Sequence, residues 1–398
     1  KLFSNKKYDE NKLSKIMSEL TKTIEDYIIT RQSKSNELAN KIQLLRFYNE
    51  RNLEKQYKQI EKEIDKILQE IPISAISEML TYQYEEIRLV YSLKHDDRQA
   101  NYQTVFDKIV TFSDAQKLRW KNISNTNLFP NLSETNQANI LYSIHYKIDR
   151  LLTQNNEIFL FEIIDFYKKN NKKIDKEESR EVLWLLVEYC LQKANNGITK
   201  YYQYTFDIYQ IIEQNNLLLN TYSNVDLAAY KNYITLALKV NALKDAEYFL
   251  EKYKENLATD VKVETYNFNK ALIVFEKKNY ADVLQLLLYC KFTDIFYKLN
   301  QRRLIIKTYY ELLDTDTTYY SIILDAITAF KKHLLEVKNV PEKYISLNKN
   351  FLKFTDKLLA ANKLSKAEKE QLQDLLNKTE HVSERNWIEE KIKNFNEK

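Results

Sequence analysis

Glycine is almost absent from this sequence. The 398 residues contain one glycine, Gly197, and three prolines, whereas ordinary usage of ~7% would give about 28 glycines. Phosphate-cradling loops, dinucleotide-binding turns, nucleophile elbows and tight β-hairpins depend on glycine, because it adopts a positive φ without a steric clash. The sequence therefore excludes those glycine-dependent sites and predicts an all-α chain, whose turns are made by Asn, Asp, Ser and Lys.

Cysteine and long apolar segments are also scarce. Cys190 and Cys290 lie far apart on apolar helical faces, and there is no C-x-x-C motif. We therefore expect buried thiols in a reducing compartment. No apolar run approaches the ~18 residues needed to span a membrane, and no signal peptide is recognisable. We expect a cytoplasmic protein without a membrane span.

The charges show no excess of one sign in any long segment. The 61 basic and 56 acidic residues are interspersed and give a net charge of +5. Proteins that bind nucleic acid usually carry a clustered basic face. The densest basic run, KKNNKK at 168–173, lies between two predicted helices and is interpreted as a solvated loop. The charge pattern argues against a nucleic-acid partner without excluding one.

Apolar residues recur at helical spacing along the chain. Leu53, Tyr57 and Ile60, for example, follow steps of four and three, as expected for one arm of a helical hairpin. Short links between the helices imply antiparallel neighbours. Eighteen helices are predicted, over residues 9–31, 34–52, 53–70, 74–94, 98–121, 134–153, 157–170, 176–194, 198–214, 225–240, 243–256, 261–278, 280–291, 293–313, 317–336, 342–361, 365–378 and 384–396.

Polar residues mark several helix starts. The strongest break in the chain is SNTNLFPNLSET at 124–135, where Ser133 can cap the following helix. Asp175 and Glu178 have the spacing of a capping box, in which the two side chains bond reciprocally to the first turn. These signals predict the starts of the sixth and eighth helices.

Two neighbouring helix pairs repeat at an interval of 37 residues. They occupy AAYKNYITLALKVNALKDAEYFLEKY (228–253) and YNFNKALIVFEKKNYADVLQLLLYC (266–290), and Val283 lies 37 residues after Ala246. Short helix pairs cannot bury their apolar faces alone, and stacking on neighbouring pairs completes the core. Asn241 and Asn279 replace glycine at the turns, because asparagine tolerates a left-handed conformation.

These two stretches resemble tetratricopeptide repeats. Two further stretches, LFSNKKYDENKLSKIMSELTKTIEDYI near the start and ERNWIEEKI (384–392) near the end, are similar to an uncharacterised family of bacterial helical-repeat proteins. The resemblance implies an α-solenoid of antiparallel, tetratricopeptide-like helix pairs, no established activity, and further helices upstream of this chain. We expect N-terminal hairpins over 1–123, helical repeats over 131–336 and capping helices over 337–398.

Tyrosine is the most over-represented aromatic residue. The chain contains 30 Tyr, 18 Phe and 3 Trp, and tyrosine suits both a core and a groove. Base stacking on these rings is the alternative, and the weak basic patch argues against it. Trp184 is expected in the core and Trp120 at the surface, and Trp387 is expected to seal the terminal helix.

No constellation of catalytic or metal-ligating residues is evident. His145 and Asp149 lie four residues apart on a predicted helix, but no third ligand has useful spacing. His95, His333 and His381 are isolated. The sequence therefore predicts no catalytic residue, no cofactor and no metal, and an enzyme is the third of three hypotheses.

The leading hypothesis is a non-enzymatic helical-repeat scaffold or adaptor that binds a protein or peptide segment in a concave groove. In such folds the first helix of each pair lines the groove, and polar side chains there can hold a peptide backbone or a carboxylate. Ordinary solvent exposure is an equally good explanation for any one of them. The polar positions on these helices are Asn232, Thr235, Lys239, Asn267, Lys270 and Lys307.

The alternative hypothesis is a regulator that contacts nucleic acid. The helix over 9–31 carries Lys12, Lys15 and Lys22, and it could be the last helix of a helix-turn-helix joined to a helical-repeat sensor. Glu19 and Asp26 on the same helix weaken this hypothesis, because they would meet phosphates. The sequence does not indicate the partner or the oligomeric state.

Overall fold

All regular structure in the described part of the chain is helical. The computed structural model describes residues 10–95, 102–124, 139–220, 222–338, 340–360 and 366–394. The α-helices in these ranges are α1 (Glu10–Ser35), α2 (Glu37–Glu50), α3 (Glu54–Glu70), α4 (Ala75–Lys94), α5 (Tyr102–Ser124), α6 (Ile140–Gln154), α7 (Glu157–Asn170), α8 (Lys176–Asn195), α9 (Lys200–Gln214), α10 (Leu227–Lys239), α11 (Leu243–Tyr253), α12 (Lys262–Glu276), α13 (Tyr280–Leu288), α14 (Ile295–Leu312), α15 (Tyr319–Glu336), α16 (Glu342–Ala360), α17 (Lys366–Lys378) and α18 (Arg385–Asn394).

The all-α prediction is confirmed. Every predicted helix has a counterpart, and most consecutive helices pack as neighbours. The start of α6 was expected near residue 134, but α6 begins at Ile140, because the side chain of Asn139 accepts a hydrogen bond from the Tyr142 amide at 2.8 Å and caps the helix. Ser133, the expected cap, lies outside the described residues. The finer prediction of tetratricopeptide-like stacking stays a prediction.

The chain forms two compact units, residues 1–197 and 198–398. In the first unit, one core lies among α2, α3 and α4, and a smaller cluster joins α5 to α6 through Ala115, Leu118 and Tyr142. That cluster links residues on both sides of the break expected at 124–130. The second unit contains one core around α12, α13 and α14 and another that extends to α18. The boundaries of these two units differ from those of the three segments expected from the sequence. The division into three segments stays a prediction.

Left-handed residues make several of the turns, as expected for a chain with so little glycine. Asn241 has φ 60°, which confirms its predicted role, and Gly197 has φ 94°. The prediction for Asn279 is wrong, because Lys278 takes the left-handed position with φ 60° and Asn279 has φ −93°. Lys278 lies 37 residues after Asn241. The left-handed residue therefore occupies the same position of the repeat in both helix pairs, although the residue type differs.

Small and apolar residues at the repeat positions lie in the core. Ala246, Ala271 and Val283 are completely buried. Both cysteines are unpaired and buried, as predicted, and burial raises the pKa of each thiol to about 12. The helix pairs thus bury their contact faces against neighbouring pairs, as the sequence interval required.

Candidate binding face of the second unit

Three first-of-pair helices, α10, α12 and α14, lie side by side in the second unit. α10 packs on α12 and α12 packs on α14, and the hydroxyl of Tyr297 on α14 donates to the carbonyl of Leu227 on α10 at 2.9 Å. Their charged residues recur one helical turn apart and interact with one another and with Glu384. We call this set the charged face: Lys231 and Lys239 on α10, Glu276 on α12, Arg303, Lys307 and Glu311 on α14, and Glu384.

An ion pair occupies the centre of the charged face. Lys307, which is only 8% exposed, donates from Nζ to Oε2 of Glu384 at 2.9 Å. The same ammonium lies 4.6 Å from the ring centroid of Phe275. Burial acts to raise the pKa of Glu384, but the charges of Lys307 and Arg303 lower it to about 2. Glu384 is therefore an anion throughout the neutral range.

Glu384 holds its position in an unfavourable backbone conformation. Its φ is 56°, a left-handed value that is uncommon for a residue with a side chain and costs free energy unless the surroundings fix it. The carboxylate is fixed by Lys307, and Arg303 Nε lies 3.6 Å from Oε1. The conformation places Glu384 directly before α18, at the point where that helix meets α14.

The C-terminal helix α18 is bound to α14 by a second polar group. Nε1 of Trp387 donates to Oε1 of Glu311 at 2.6 Å, and Nζ of Lys391 donates to Oε2 of the same carboxylate at 2.7 Å. The Trp387 ring is buried against Phe351 and Tyr310. The predicted role of Trp387 in sealing the terminal helix is confirmed.

Two cationic groups on the charged face keep unused donors. Nη1 of Arg303 donates to Oδ1 of Asn348 at 2.6 Å and Nη2 donates to Asn300, but its buried Nε–H has no hydrogen-bond partner among the described residues. Lys231 is half-buried and forms no hydrogen bond or ion pair with any described side chain. Burial, with the charge of Arg303, lowers the pKa of Lys231 to about 8.

The residues proposed from the sequence fall into different surroundings. Lys307 is buried in its ion pair, and Lys239 is exposed with its Nζ 4.7 Å from the Tyr202 ring centroid. Lys270 is exposed beside Tyr266, whose hydroxyl donates to Glu251 at 2.6 Å. Asn232, beside Tyr209, is half-buried, as are Thr235 and Asn267. The structure therefore brings Lys239 and Lys307 together around Glu384, and Lys270 interacts with a different group of residues.

The repeat interval explains why sequence reasoning missed part of this face. Lys239 has its counterpart in Glu276, 37 residues later, and not in Lys270. Lys231 and Arg303 lie 72 residues apart, which is two residues short of twice the interval, so the interval alone does not select this pair. Whether any of these residues binds a partner stays a prediction.

The helix considered for nucleic-acid binding is α1, and its described side chains are exposed. Lys12, Lys15 and Lys22 share this helix with Glu19 and Asp26, and all five are exposed. The helix therefore presents both signs of charge. Trp120 is exposed as expected, and Trp184, which was expected in the core, is half-buried.

No helix in the described ranges combines the length and the apolar character needed to cross a membrane. No family model, curated protein or solved structure matches the chain.

Proposed function

We propose that this protein is a non-enzymatic scaffold or adaptor whose second unit binds an acidic protein segment at the charged face. The proposal rests on one observation: the ammonium of Lys231 lies within the field of the charged face and forms no hydrogen bond or ion pair with any described side chain. Buried or half-buried donors without acceptors cost free energy. A carboxylate from a partner would supply that acceptor.

The arrangement favours a carboxylate over a neutral group. Lys231 and Arg303 are both cations, and each raises the electrostatic cost of the other, so an added anion is stabilised by both. Glu384 is shared by Lys307 and Arg303, which leaves Lys231 and the exposed Lys239 without a paired carboxylate among the described residues. Charge-assisted hydrogen bonds of this kind contribute about 1.5–3 kcal/mol each. A side-chain or C-terminal carboxylate of a peptide matches this chemistry.

The experiment compares two fluorescent peptides of equal length, one rich in glutamate and one in which every glutamate is replaced by glutamine. We expect anisotropy to show binding of the glutamate peptide only. The double variant K231Q/K239Q should weaken that binding by about tenfold to a hundredfold, which corresponds to about 1.4–2.8 kcal/mol. Circular dichroism checks that the variant keeps its helical content.

A matched control is available on the neighbouring helix. Lys244 is exposed on α11, and K244Q removes the same charge at a place outside the charged face. The pair K244Q/K270Q should therefore bind the glutamate peptide as the unaltered protein does. Equal binding of the glutamate and glutamine peptides, or equal loss in both double variants, would contradict the proposal.

A further inference from the structure

Three potential metal ligands meet in the first unit. His145 lies on α6, and Glu178 and Glu181 lie one turn apart on α8. One imidazole nitrogen and one oxygen from each carboxylate all lie within 4.8 Å of one another. His145 and Glu178 are buried and Glu181 is half-buried, so this group differs from the exposed acidic clusters that are common on protein surfaces.

His145 supplies an independent indication of a ligand. The side chain is 1% exposed, and its Nδ1 is buried without any hydrogen-bond partner among the described residues. Buried ring nitrogens normally have a partner, because leaving one unsatisfied is costly. Burial lowers the pKa of His145 to about 4, which keeps the imidazole in the neutral form that binds metals.

The Glu178 carboxylate is held by a hydrogen bond to one of its oxygens, and the other oxygen forms no hydrogen bond with the described residues. The spacing of Glu178 from Asp175 predicted a capping box, but the box does not form, because Asp175 accepts from the Glu177 amide at 2.8 Å and not from the Glu178 amide. Glu178 accepts instead from the amide of Ala75 at 3.0 Å through Oε1. The carboxylate is therefore directed away from its own helix start and into the space between helices.

Glu181 is oriented by Arg119. Nε of Arg119 donates to Oε1 at 2.7 Å and Nη2 donates to Oε2 at 2.5 Å. A carboxylate has about four lone-pair sites, so this bidentate pair leaves two for another acceptor role. Hydrogen bonds of this kind, from residues that do not bind the metal themselves, commonly orient metal-binding side chains. The arginine also balances part of the negative charge of Glu178 and Glu181.

The separations suit a small divalent ion. Zinc binds imidazole nitrogen at about 2.0–2.1 Å and carboxylate oxygen at about 2.0–2.2 Å, so ligands around one ion lie about 3–4 Å apart. The observed limit of 4.8 Å means that the donor atoms must approach one another by up to about 1–2 Å when the ion binds. Mixed imidazole and carboxylate donors select transition metals over Ca²⁺ and Mg²⁺.

We propose that His145, Glu178 and Glu181 bind a divalent transition-metal ion of the Zn²⁺ class, which links α6 to α8 in the first unit. Asp149, the partner that sequence spacing suggested for His145, is not part of this site, because it forms an ion pair with Lys121 at 2.7 Å. The site does not depend on the function proposed for the second unit.

The test titrates the full chain, stripped of metal by a chelator, with Zn²⁺ in competition with a chromophoric indicator. We expect one Zn²⁺ per chain, and a loss of affinity of at least about tenfold in H145Q, E178Q and E181Q. D149N removes a carboxylate one turn from His145, and H333Q removes a histidine of the second unit. Both controls should retain the affinity of the unaltered protein.

A measurement on the unaltered protein covers the case in which buried substitutions prevent folding. The chain has four histidines, so long-range ¹H–¹⁵N spectra of the imidazoles resolve them individually. Zn²⁺ should shift the resonances of His145 and leave those of His95, His333 and His381 in place. Failure to bind one equivalent, an unshifted His145, or a folded H145Q variant with unchanged affinity would overturn the proposal.

Discussion

The ion pair between Lys307 and Glu384 stabilises a local conformation that neither residue would favour alone. Glu384 has a φ of 56°, and Lys307 is an ammonium with 8% exposure. A buried ammonium without a counter-ion is strongly destabilising, although an intact buried pair is worth little compared with apolar residues. The pair therefore affects stability mainly when one partner is removed, because the other partner is then left as an uncompensated charge.

Replacing Glu384 by Gln should destabilise the protein at neutral pH. The side chain of Glu384 is 32% exposed, which screens the pair, so we expect a loss of about 2 kcal/mol. Urea unfolding followed by circular dichroism measures the change. Glu390 is exposed on α18, and E390Q should leave the free energy of unfolding within about 0.5 kcal/mol of the original.

The same substitution should change the acid limb of the stability profile. The charges of Lys307 and Arg303 lower the pKa of Glu384 in the folded state to about 2 from its ordinary value of 4.5. Its contribution is therefore complete above pH 4.5 and is lost as the pH falls from about 4.5 to about 2. In E384Q the free energy of unfolding should fall less across this range, and an identical fall in both proteins would contradict the assignment.

At the scale of helices and turns, the sequence predicts most of what the structure contains. Apolar spacing located the helices because each one buries a single face against its neighbours. The predictions from the sequence were wrong where tertiary contacts compete with local conformational preference. Lys278 takes the left-handed turn position in place of Asn279, and Glu178 bonds to Ala75 in place of its own helix start.

Replacing Ala271 by Phe should test the register of the helix pairs. Ala271 on α12 is completely buried in the cluster that includes Val283 and Leu287, so a phenyl ring there overpacks the contact at a cost of about 1–3 kcal/mol. A thermal melt should show a lower midpoint. Val263 is 61% exposed on the same helix, so V263F should leave the midpoint nearly unchanged, and equal midpoints for both variants would refute the register.

At the scale of the whole molecule, both candidate sites combine residues that are distant in sequence. His145 precedes Glu178 by 33 residues and Glu181 by 36, and Lys231 precedes Arg303 by 72. No spacing rule joins such residues before the packing of α6 with α8, or of α10 with α14, is known. The sequence therefore identified the fold class and two residues of the charged face, Lys239 and Lys307, but not Lys231 and Arg303.

The overall charge distribution leads to a prediction about nucleic acid. The net charge is only +5, and the exposed lysines of α1 alternate with Glu19 and Asp26. Few phosphates can be neutralised at once, so duplex binding measured by anisotropy should be weak and should disappear by about 0.2 M salt. The triple variant K12Q/K15Q/K22Q should remove whatever binding remains at low salt. Tight binding that persists at about 0.2 M salt and depends on these three lysines would instead favour the regulator hypothesis, because only a concentrated basic surface sustains such affinity.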